Sequence, residues 1–244
     1  YDFEDYLYLR GFHGALKLIF NSAVFNEFTK YLKLKDIDIF SFALSFYETL
    51  KKDDSDVGQQ FRAYLKEAKG EVRDSKEELE AYYTKDENYQ KLLTGEEGEN
   101  LLGKYKVITT TTNLDKWCNF FHDECLKICK KLNDPKINSE LEDIRNHIMA
   151  KAYNVISKEN MGGEPVVITL QHDVLTWQKE DYQKQLSEYR FKEPKKVKYV
   201  IKKGSSHIIK EILSLHTSTS TTFWKAMDSR YYTPSLFRQG SVMI

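Results

Sequence analysis

The stretch KWCNFFHDECLKICKKL, residues 116–132, decides the fold predicted for this chain. It holds every cysteine of the sequence, as Cys118, Cys125 and Cys129, together with His122. At about 100° per residue these side chains share one helical face. The same face carries four apolar residues: Leu114, Phe121, Ile128 and Leu132. An apolar stripe of this kind is typical of a helix packed on a core. The sequence therefore predicts a central amphipathic helix that is closed at residues 133–135, because Pro135 cannot continue it.

The same four side chains also suggest a metal site, but the rise of the helix argues against one. With about 1.5 Å per residue, Cys118 and Cys129 lie roughly 16 Å apart along the axis, whereas zinc binds sulfur at about 2.3 Å. Further ligands would have to come from the other histidines: His13, His147, His172, His207 or His216. Because buried free cysteine packs as a small hydrophobic residue, we expect core packing, no metal and no cofactor.

Composition limits the classes of function. The 244 residues include 37 Lys plus Arg and 37 Asp plus Glu, so the formal net charge is zero. A neutral chain has no overall field that recruits DNA or RNA, and we predict no nucleic-acid partner. No run of about 18 apolar residues occurs, so no transmembrane helix is predicted. Since the chain begins with Tyr1, we expect it to be a processed or truncated piece.

Helical periodicity dominates the first part of the chain. Between residues 12 and 50, aromatic and aliphatic residues recur every three or four positions, with breaks near Asn21 and residues 35–36. This pattern predicts three packed helices, the second and third capped by Ser22 and Asp36. A fourth helix is predicted after DSDVG, residues 54–58.

Further starts and breaks follow along the chain. Ser75 and Ser139 each precede a glutamate by three positions, a capping-box pattern that predicts a helix start. Residues 94–113, TGEEGENLLGKYKVITTTTN, combine glycines with threonines that favour extended backbone. We therefore predict hinges near 95–112 and 158–166, with Asn113 capping the central helix.

The last third of the sequence predicts a mixture of elements. VVITL (166–170) and VKYVIK (197–202) are candidate short strands. An amphipathic helix is predicted between them from the spacing of Trp177, Tyr182, Leu186 and Tyr189. TSTSTT, residues 217–222, has the composition of a linker or turn.

These patterns predict an all-α or predominantly α fold, with one short strand pair near 166–202. We expect a multi-helix bundle made of two or three small helical subdomains. The predicted units are an N-terminal helical subdomain at 1–95, a central helical subdomain at 113–158, and a C-terminal subdomain at 166–244 with a basic segment and a flexible tail.

The basic segment FKEPKKVKYVIKKG, residues 191–204, is the candidate binding site. Its candidate residues are Lys195, Lys196, Lys198, Lys202 and Lys203, accompanied by Lys192. If the apolar residues between them face inward on a strand, Lys196, Lys198 and Lys202 face outward together. Such a patch would bind sialylated or sulfated glycans or anionic lipid heads. The alternative is a solvated face that is paired with nearby acidic residues.

No catalytic residue is predicted. His172-Asp173 and Ser205-Ser206-His207 invite comparison with a hydrolase triad, but the G-x-S-x-G elbow is missing. The stretch VITTTTNLD, residues 107–115, lacks the glycine-rich loop of a nucleotide site. The sequence therefore favours a non-enzymatic protein.

The composition and order of the N-terminal segments resemble those of a known protein family. FHGALKLIFNSAVFNEFTKYLKLKDIDIFSFALSFYETLKK (12–52) and VGQQFRAYLKEAKGE (57–71) resemble the merozoite surface antigens of Babesia parasites. The resemblance covers about the first third of the chain. It implies a small, mostly helical, lipid-anchored coat protein at the cell surface, whose partner is a host erythrocyte protein or glycan. The anchor signal is not present in this chain, and no binding residue can be carried over.

A second resemblance provides the alternative function. VFNEFTKYLKLKDIDIFSFALSFYETL, residues 24–50, looks like the opening helices of a regulator of G-protein signalling domain. Residues after Gln60 do not follow the later helices of that family. This alternative implies an intracellular signalling module, cytoplasmic in location, that acts on Gα.

Overall fold

The structure, a computed structural model, describes residues 2–94, 97, 100–155, 164–215 and 236–243. These residues form a predominantly α-helical fold with a small antiparallel sheet, which confirms the predicted fold class. The helices are α1 (Phe3–Ala15), α2 (Asn26–Leu34), α3 (Ile39–Lys52), α4 (Asp56–Gly70), α5 (Lys76–Tyr83), α6 (Asp86–Thr94), α7 (Leu101–Val107), α8 (Leu114–Cys129), α9 (Ile137–Ala152), α10 (Val174–Lys179) and α11 (Lys203–Leu215). The strands are β1 (Val166–His172), β2 (Arg190–Val200) and β3 (Gln239–Val242).

Helix α8 occupies the centre of the core, as the opening stretch predicts. Its buried face includes Trp117, Phe121 and all three cysteines, which are unpaired thiols. The ring of Phe121 contacts five other aromatic rings: Phe20, Phe25, Phe28, Phe42 and Phe46. Aromatic residues supply most of the apolar area that such a core buries. Leu132 departs from the prediction: it lies in a 3₁₀ turn after the helix and is exposed.

Three N-terminal helices form, as the periodicity predicts, but α1 begins at Phe3 rather than near residue 12 and continues into a π-helical turn over Leu16–Phe20. The caps also differ from the prediction. Asp38 caps α3 through its carboxylate, which accepts the amide of Ser41 at 2.8 Å. The predicted cap, Asp36, instead takes a left-handed conformation with φ of 56°, which ends the α2 region. Ser22 lies before the start of α2, and its hydroxyl accepts the amide of Val24 at 3.4 Å. Residue type therefore located the turns to within a few positions.

One of the two predicted capping boxes is wrong. Ser75 caps α5 by accepting the amide of Glu78 at 3.0 Å. Helix α9, in contrast, already begins at Ile137, and the Ser139 hydroxyl donates to the carbonyl of Lys136. Asn113 precedes α8 but gives no side-chain cap, because its amide donates to Gln60 instead.

Residues 101–112 of the predicted hinge at 95–112 are helical, whereas residues 95, 96, 98 and 99 lie outside the described residues. Helix α7 continues into a π-helical turn over Ile108–Thr112, so the expected extended backbone is not formed there. Thr110 and Thr111 donate their hydroxyls to the carbonyls of Lys106 and Val107. These bonds back to the helix satisfy the hydroxyls and offset the preference of threonine for strands.

The sheet confirms both predicted strands and adds a third that was not predicted. β2 lies in the middle, with β1 and β3 antiparallel on either side. The predicted helix through Tyr189 is wrong, because α10 ends at Lys179 and Tyr182 has a left-handed φ of 57°. The Tyr182 ring instead turns back onto Trp177, with ring centroids 4.7 Å apart.

Helix α9 joins the helices to the sheet. It packs on α8 and α2 and also contacts β1. The hydrophobic core accordingly continues from Ala15 in α1 to Phe237 ahead of β3. The division into subdomains at 1–95, 113–158 and 166–244 stays a prediction. The second predicted hinge, apart from residues 164–166, and the linker at 217–222 lie outside the described residues.

Candidate functional site

The predicted basic segment lies on β2, the middle strand of the sheet. Side chains alternate between the two faces of a strand. Val197 and Tyr199 are buried, and the Tyr199 hydroxyl lies 2.8 Å from Nδ1 of His147 on α9. Lys196 and Lys198 therefore point to the opposite face, as predicted, with Lys196 exposed and Lys198 half-buried.

Neighbouring strands extend this face with polar and apolar groups. Residues that pair directly across two strands point to the same side. Lys196 pairs with Thr169, and Lys198 pairs with Val167 on β1 and Ser241 on β3. We call this surface the outer sheet face, and it consists of Val167, Thr169, Lys196, Lys198, Val200, Gln239, Ser241 and Met243.

The remaining candidate lysines surround the outer sheet face rather than lying on it. Lys195 pairs with Leu170, so it alternates to the other side of the sheet, although it is exposed. Lys202 is exposed in the short connection between β2 and α11. Lys203 begins α11, and its side chain lies outside the described part of the structure.

Four of the candidate lysines have no acidic partner within the described residues. Lys195, Lys196, Lys198 and Lys202 form no salt bridge there. The one carboxylate in the sequence of β2 is Glu193. The alternative of a face neutralised by nearby acidic residues is therefore not seen in this part of the chain, and the ammonium groups are available to an external anion.

The outer sheet face can therefore bind negative groups electrostatically. An exposed ammonium pair contributes little per contact, about 0–1 kcal/mol, so useful affinity requires several contacts to one polyanion. Thr169, Gln239 and Ser241 add hydroxyl and amide groups that can donate to sulfate, carboxylate or sugar oxygens. Binding of this kind is expected to weaken with salt, because exposed charges are screened within about 10 Å at 0.1 M.

A second group of charged residues is buried between α2 and α9. Lys151 Nζ lies 2.5 Å from Glu27 Oε1, and His147 Nε2 lies 3.6 Å from the same oxygen. All three side chains are buried. Burial alone would raise the pKa of Glu27, but Lys151 and His147 lower it to about 2. Burial lowers the pKa of His147, so its ring is neutral at pH 7.

The same face of α9 fixes the end of β1. One carboxylate oxygen of Asp143 accepts the backbone amides of Gln171 and His172 and lies 2.8 Å from His172 Nδ1. One helical turn earlier, Glu140 accepts the hydroxyl of Tyr31 at 2.6 Å and pairs with Lys35 at 3.0 Å. The buried charged interface is thus made of Glu27, Tyr31, Lys35, Glu140, Asp143, His147, Lys151, His172 and Tyr199.

This interface has the residue types of a catalytic site, but it is closed to solvent. Glu140 and His172 are 0% exposed, so a substrate would reach them only if the α9 contacts opened. Burying charges is costly unless they are paired and hydrogen-bonded. The mutual pairing of these groups accounts for their positions as structural contacts that hold α2, α9 and the sheet together.

The other sequence candidates for chemistry are not arranged as predicted triads. His172 binds Asp143 and not its neighbour Asp173, which caps α10 through the amide of Thr176. His207 is exposed on α11. Within the described residues, no group of three or more His, Cys, Asp or Glu side chains could hold a metal ion.

The cysteines are protected rather than reactive. Burial raises the pKa of the Cys118 and Cys125 thiols, and it raises that of Cys129 to about 11. The thiolate is the nucleophile and the metal ligand, so these protonated thiols pack as hydrophobic groups. This confirms core packing as the main role of the cysteine stripe.

A cleft of about 660 Å³ opens between α1, α3 and α4. Its floor is Gly11, where a Cβ atom would come within 2.5 Å of the Tyr47 hydroxyl. The Lys51 ammonium lies over the rings of Tyr8 and Tyr47, 4.7 and 4.8 Å from their centroids. It also pairs with Glu48 at 2.8 Å. The Lys51 ammonium is therefore satisfied within the chain. Three further basic side chains also line the cleft: Arg10, Lys66 and Lys69.

Sequence reasoning missed two contributions to these sites. β3 was not predicted because QGSV, residues 239–242, has only four residues and two of them are small. The charged stripe of α9 was also missed, although Glu140, Asp143, His147 and Lys151 recur at helical spacing. A charged stripe normally indicates a solvated face, and only a matching stripe on α2 would have suggested burial.

Among the residues that the structure describes, no helix is long and apolar enough to cross a bilayer. Comparison of the chain with protein-family models, curated proteins and solved structures found no match.

Proposed function

We propose that this chain is a non-enzymatic adhesin on the surface of a blood-stage parasite, held by a lipid anchor, that binds anionic glycans of host erythrocytes. The observation that carries the proposal is the outer sheet face, where Lys196 and Lys198 are free of ion pairs within the described residues. The resemblance to merozoite surface antigens supplies the cell type.

The arrangement of the outer sheet face supports a glycan over a compact anion. Lys196 and Lys198 are two positions apart on one strand, so their Cα atoms are roughly 6.6 Å apart. Hydroxyl and amide groups of Thr169, Ser241 and Gln239 lie on the same face. A flat surface with spaced cations and hydrogen-bonding groups suits an extended, repeatedly charged sugar chain.

The non-enzymatic part of the proposal rests on the state of the reactive residue types. The titratable groups on α2 and α9 are buried and paired with one another. The thiols of α8 are buried and protonated. Neither set combines solvent access with an activated nucleophile, which nucleophilic catalysis requires.

The test is binding of the purified chain to erythrocytes and to immobilised heparin fragments. We expect Lys196→Glu combined with Lys198→Glu to weaken both by about tenfold or more, because attraction at two positions becomes repulsion. The matched control, Lys130→Glu with Lys131→Glu, changes the charge equally at two exposed lysines after α8. It should bind like the unmodified chain.

Three results would count against this proposal. An equal loss of binding in the two double variants would mean that net charge alone governs binding. A chain that binds neither erythrocytes nor heparin would remove the adhesin function. Acceleration of GTP hydrolysis by a Gα subunit would instead support the alternative of a regulator of G-protein signalling.

A further inference from the structure

A helical hairpin formed by α5 and α6 leaves its apolar side chains uncovered. Within the described residues, α5 has no buried side chain, and α6 buries only Asn88, whose amide donates to the carbonyl of Tyr82 at 2.9 Å. Leu93 is 62% exposed, and other large apolar residues are also exposed: Leu79, Tyr89 and Leu92. Tyr89, Leu92 and Leu93 have the i, i+3, i+4 spacing of one helical face.

The hairpin, residues 76–94, is also acidic. It holds five carboxylates and three lysines, a formal charge of −2. Two of the lysines pair within their own helix, Lys76 with Glu80 at 3.3 Å and Lys91 with Glu87 at 3.4 Å. Glu77 and Asp86 form no salt bridge within the described residues and remain available to an external cation.

The outer sheet face has the complementary properties. Lys196 and Lys198 lie on this face, and no carboxylate of the described residues does. The surrounding segment, residues 190–202, contains six basic residues and one carboxylate. Three apolar side chains are exposed on this face: Val167, which is 49% exposed, Val200 and Met243. Opposite charges next to exposed apolar groups on both surfaces favour their contact.

The architecture of the sheet points to the same pairing. One face of the sheet is covered by α9, which contacts β1 and receives the buried Tyr199. An antiparallel sheet can carry helices on one face and leave the other face open. The outer face lacks such a layer within the described residues, and a two-helix hairpin is an element that can supply one.

We propose that the hairpin of one copy of this chain docks on the outer sheet face of a second copy. In the folded chain both surfaces are exposed, so the contact forms between molecules. The two surfaces are different, so the contact is head-to-tail and each bound copy offers a free surface to the next. Such contacts close into a ring or continue as an open array, depending on the rotation between neighbouring copies.

The same lysines then have two ligands, a polyanion or the hairpin of another copy. The inference does not depend on glycan binding, because the charge and apolar match holds whether or not a glycan is the natural ligand. If both ligands bind, heparin fragments compete with self-association, and the two activities can be measured separately.

Sedimentation velocity of the purified chain at rising concentration provides the test. We expect self-association at low salt that weakens by about tenfold or more at high salt, since the charge attraction is screened. Leu92→Asp with Leu93→Asp, the hairpin variant, should be monomeric yet still bind heparin. Lys196→Glu with Lys198→Glu, the face variant, should be monomeric and lose heparin binding. Thermal unfolding of each variant establishes that it is folded.

A mixture of the two variants gives the decisive result. Each variant keeps the surface that the other has lost, so the mixture should form a one-to-one complex that does not grow further. A face variant that still self-associates would overturn the proposal in favour of hairpin-to-hairpin contact. A hairpin that binds phosphatidylcholine vesicles while the chain stays monomeric would overturn it in favour of a membrane surface. Failure of the unmodified chain to bind heparin, with an intact mixed complex, would sink the glycan proposal alone.

Discussion

Lysine plays opposite roles in the buried charged interface and on the outer sheet face. Lys151 on α9 is 5% exposed and lies 2.5 Å from Glu27. Lys196 on β2 is exposed and forms no ion pair within the described residues. The first lysine serves the fold and the second is available to a ligand, because burial makes an unpaired charge costly and exposure does not.

The two lysines differ because water can replace the carboxylate partner of an exposed ammonium but not that of a buried one. An exposed ammonium exchanges a carboxylate for water at nearly equal free energy, so surface ion pairs contribute about 0–1 kcal/mol. A buried ammonium has no such exchange, and loss of its partner leaves an uncompensated charge. The comparison predicts large effects on stability at α2 and α9 and large effects on binding at β2.

The largest expected effect is on stability, from replacement of one buried partner. Lys151→Met should lower the free energy of unfolding by about 3–5 kcal/mol, because Glu27 would keep a buried charge without its closest partner. Lys196→Met should change it by no more than about 0.5 kcal/mol. Urea unfolding followed by circular dichroism measures both. A similar loss of unfolding free energy in Lys151→Met and Lys196→Met would contradict the distinction between the buried charged interface and the outer sheet face.

The matched double variant separates a lost ion pair from lost packing. Glu27→Leu with Lys151→Met removes both charges, so most of the stability lost in Lys151→Met should return. A double variant as unstable as the sum of the two single variants would show that the pair acts through shape alone.

The next effect is a dependence of stability on pH. The pKa of Glu27 is about 2 in the folded chain and 4.5 ordinarily, so its contribution is present above about pH 4.5 and lost as the pH falls towards 2. By linkage this amounts to roughly 3 kcal/mol. The pKa of His147 is lowered from 6.5, so its contribution is lost as the pH falls below about 6.5, where the unfolded chain takes up a proton first.

Urea unfolding at intervals from pH 3 to pH 8 checks this dependence. Glu27→Gln should be less stable than the unmodified chain at pH 7 and should lose less stability between pH 4.5 and pH 3. His207→Gln, which changes an exposed histidine on α11, is the control and should leave the pH profile unchanged. A Glu27→Gln profile parallel to that of the unmodified chain would contradict the assignment.

The smallest expected effect on stability is at the outer sheet face. Lys198→Ala should alter the free energy of unfolding by no more than about 0.5 kcal/mol. The same change should lower the dependence of heparin affinity on the logarithm of salt concentration by about one, since one fewer counterion is released on binding. Isothermal titration at several salt concentrations measures this slope. An unchanged slope would place the bound polyanion away from Lys198.

Local patterns predicted those parts of the fold that depend on near neighbours. The periodicity of residues 12–50 and the stripe of Cys118, Cys125 and Cys129 predict helices and their buried faces, and the structure confirms both. The stop after α8 was also readable, because Asn133 takes the left-handed conformation, with φ of 50°, and Pro135 follows. Each of these depends on backbone geometry within a few residues.

Where a distant contact decides the conformation, the local patterns were wrong. Threonines 109–112 favour a strand, yet Thr109 Oγ1 accepts the side-chain amide of Gln60 at 2.9 Å and the segment is helical. Residues 177–189 were predicted to form one helix, yet packing of the Trp177 and Tyr182 rings requires a turn between them. Tertiary contacts override weak intrinsic preferences of about 1 kcal/mol or less.

The candidate site likewise has one part that local sequence predicts and another that depends on distant contacts. The lysines of residues 195–203 and the outward direction of Lys196 and Lys198 follow from the alternation of strand side chains, which the sequence alone provides. The neighbours that make a surface of them, Thr169 on β1 and Ser241 on β3, are 27 and 43 positions away from their partners and become adjacent only in the sheet.

The sequence by itself determined that this chain is a mainly helical protein with a cysteine-lined central helix, because periodicity and chain stops act locally. The tertiary structure decided which charged residues are inside. Glu27 and Lys151 look like surface residues in the sequence, and only the packing of α2 on α9 brings them together out of water. Burial is a property of the whole fold, so no short stretch of residues can encode it alone.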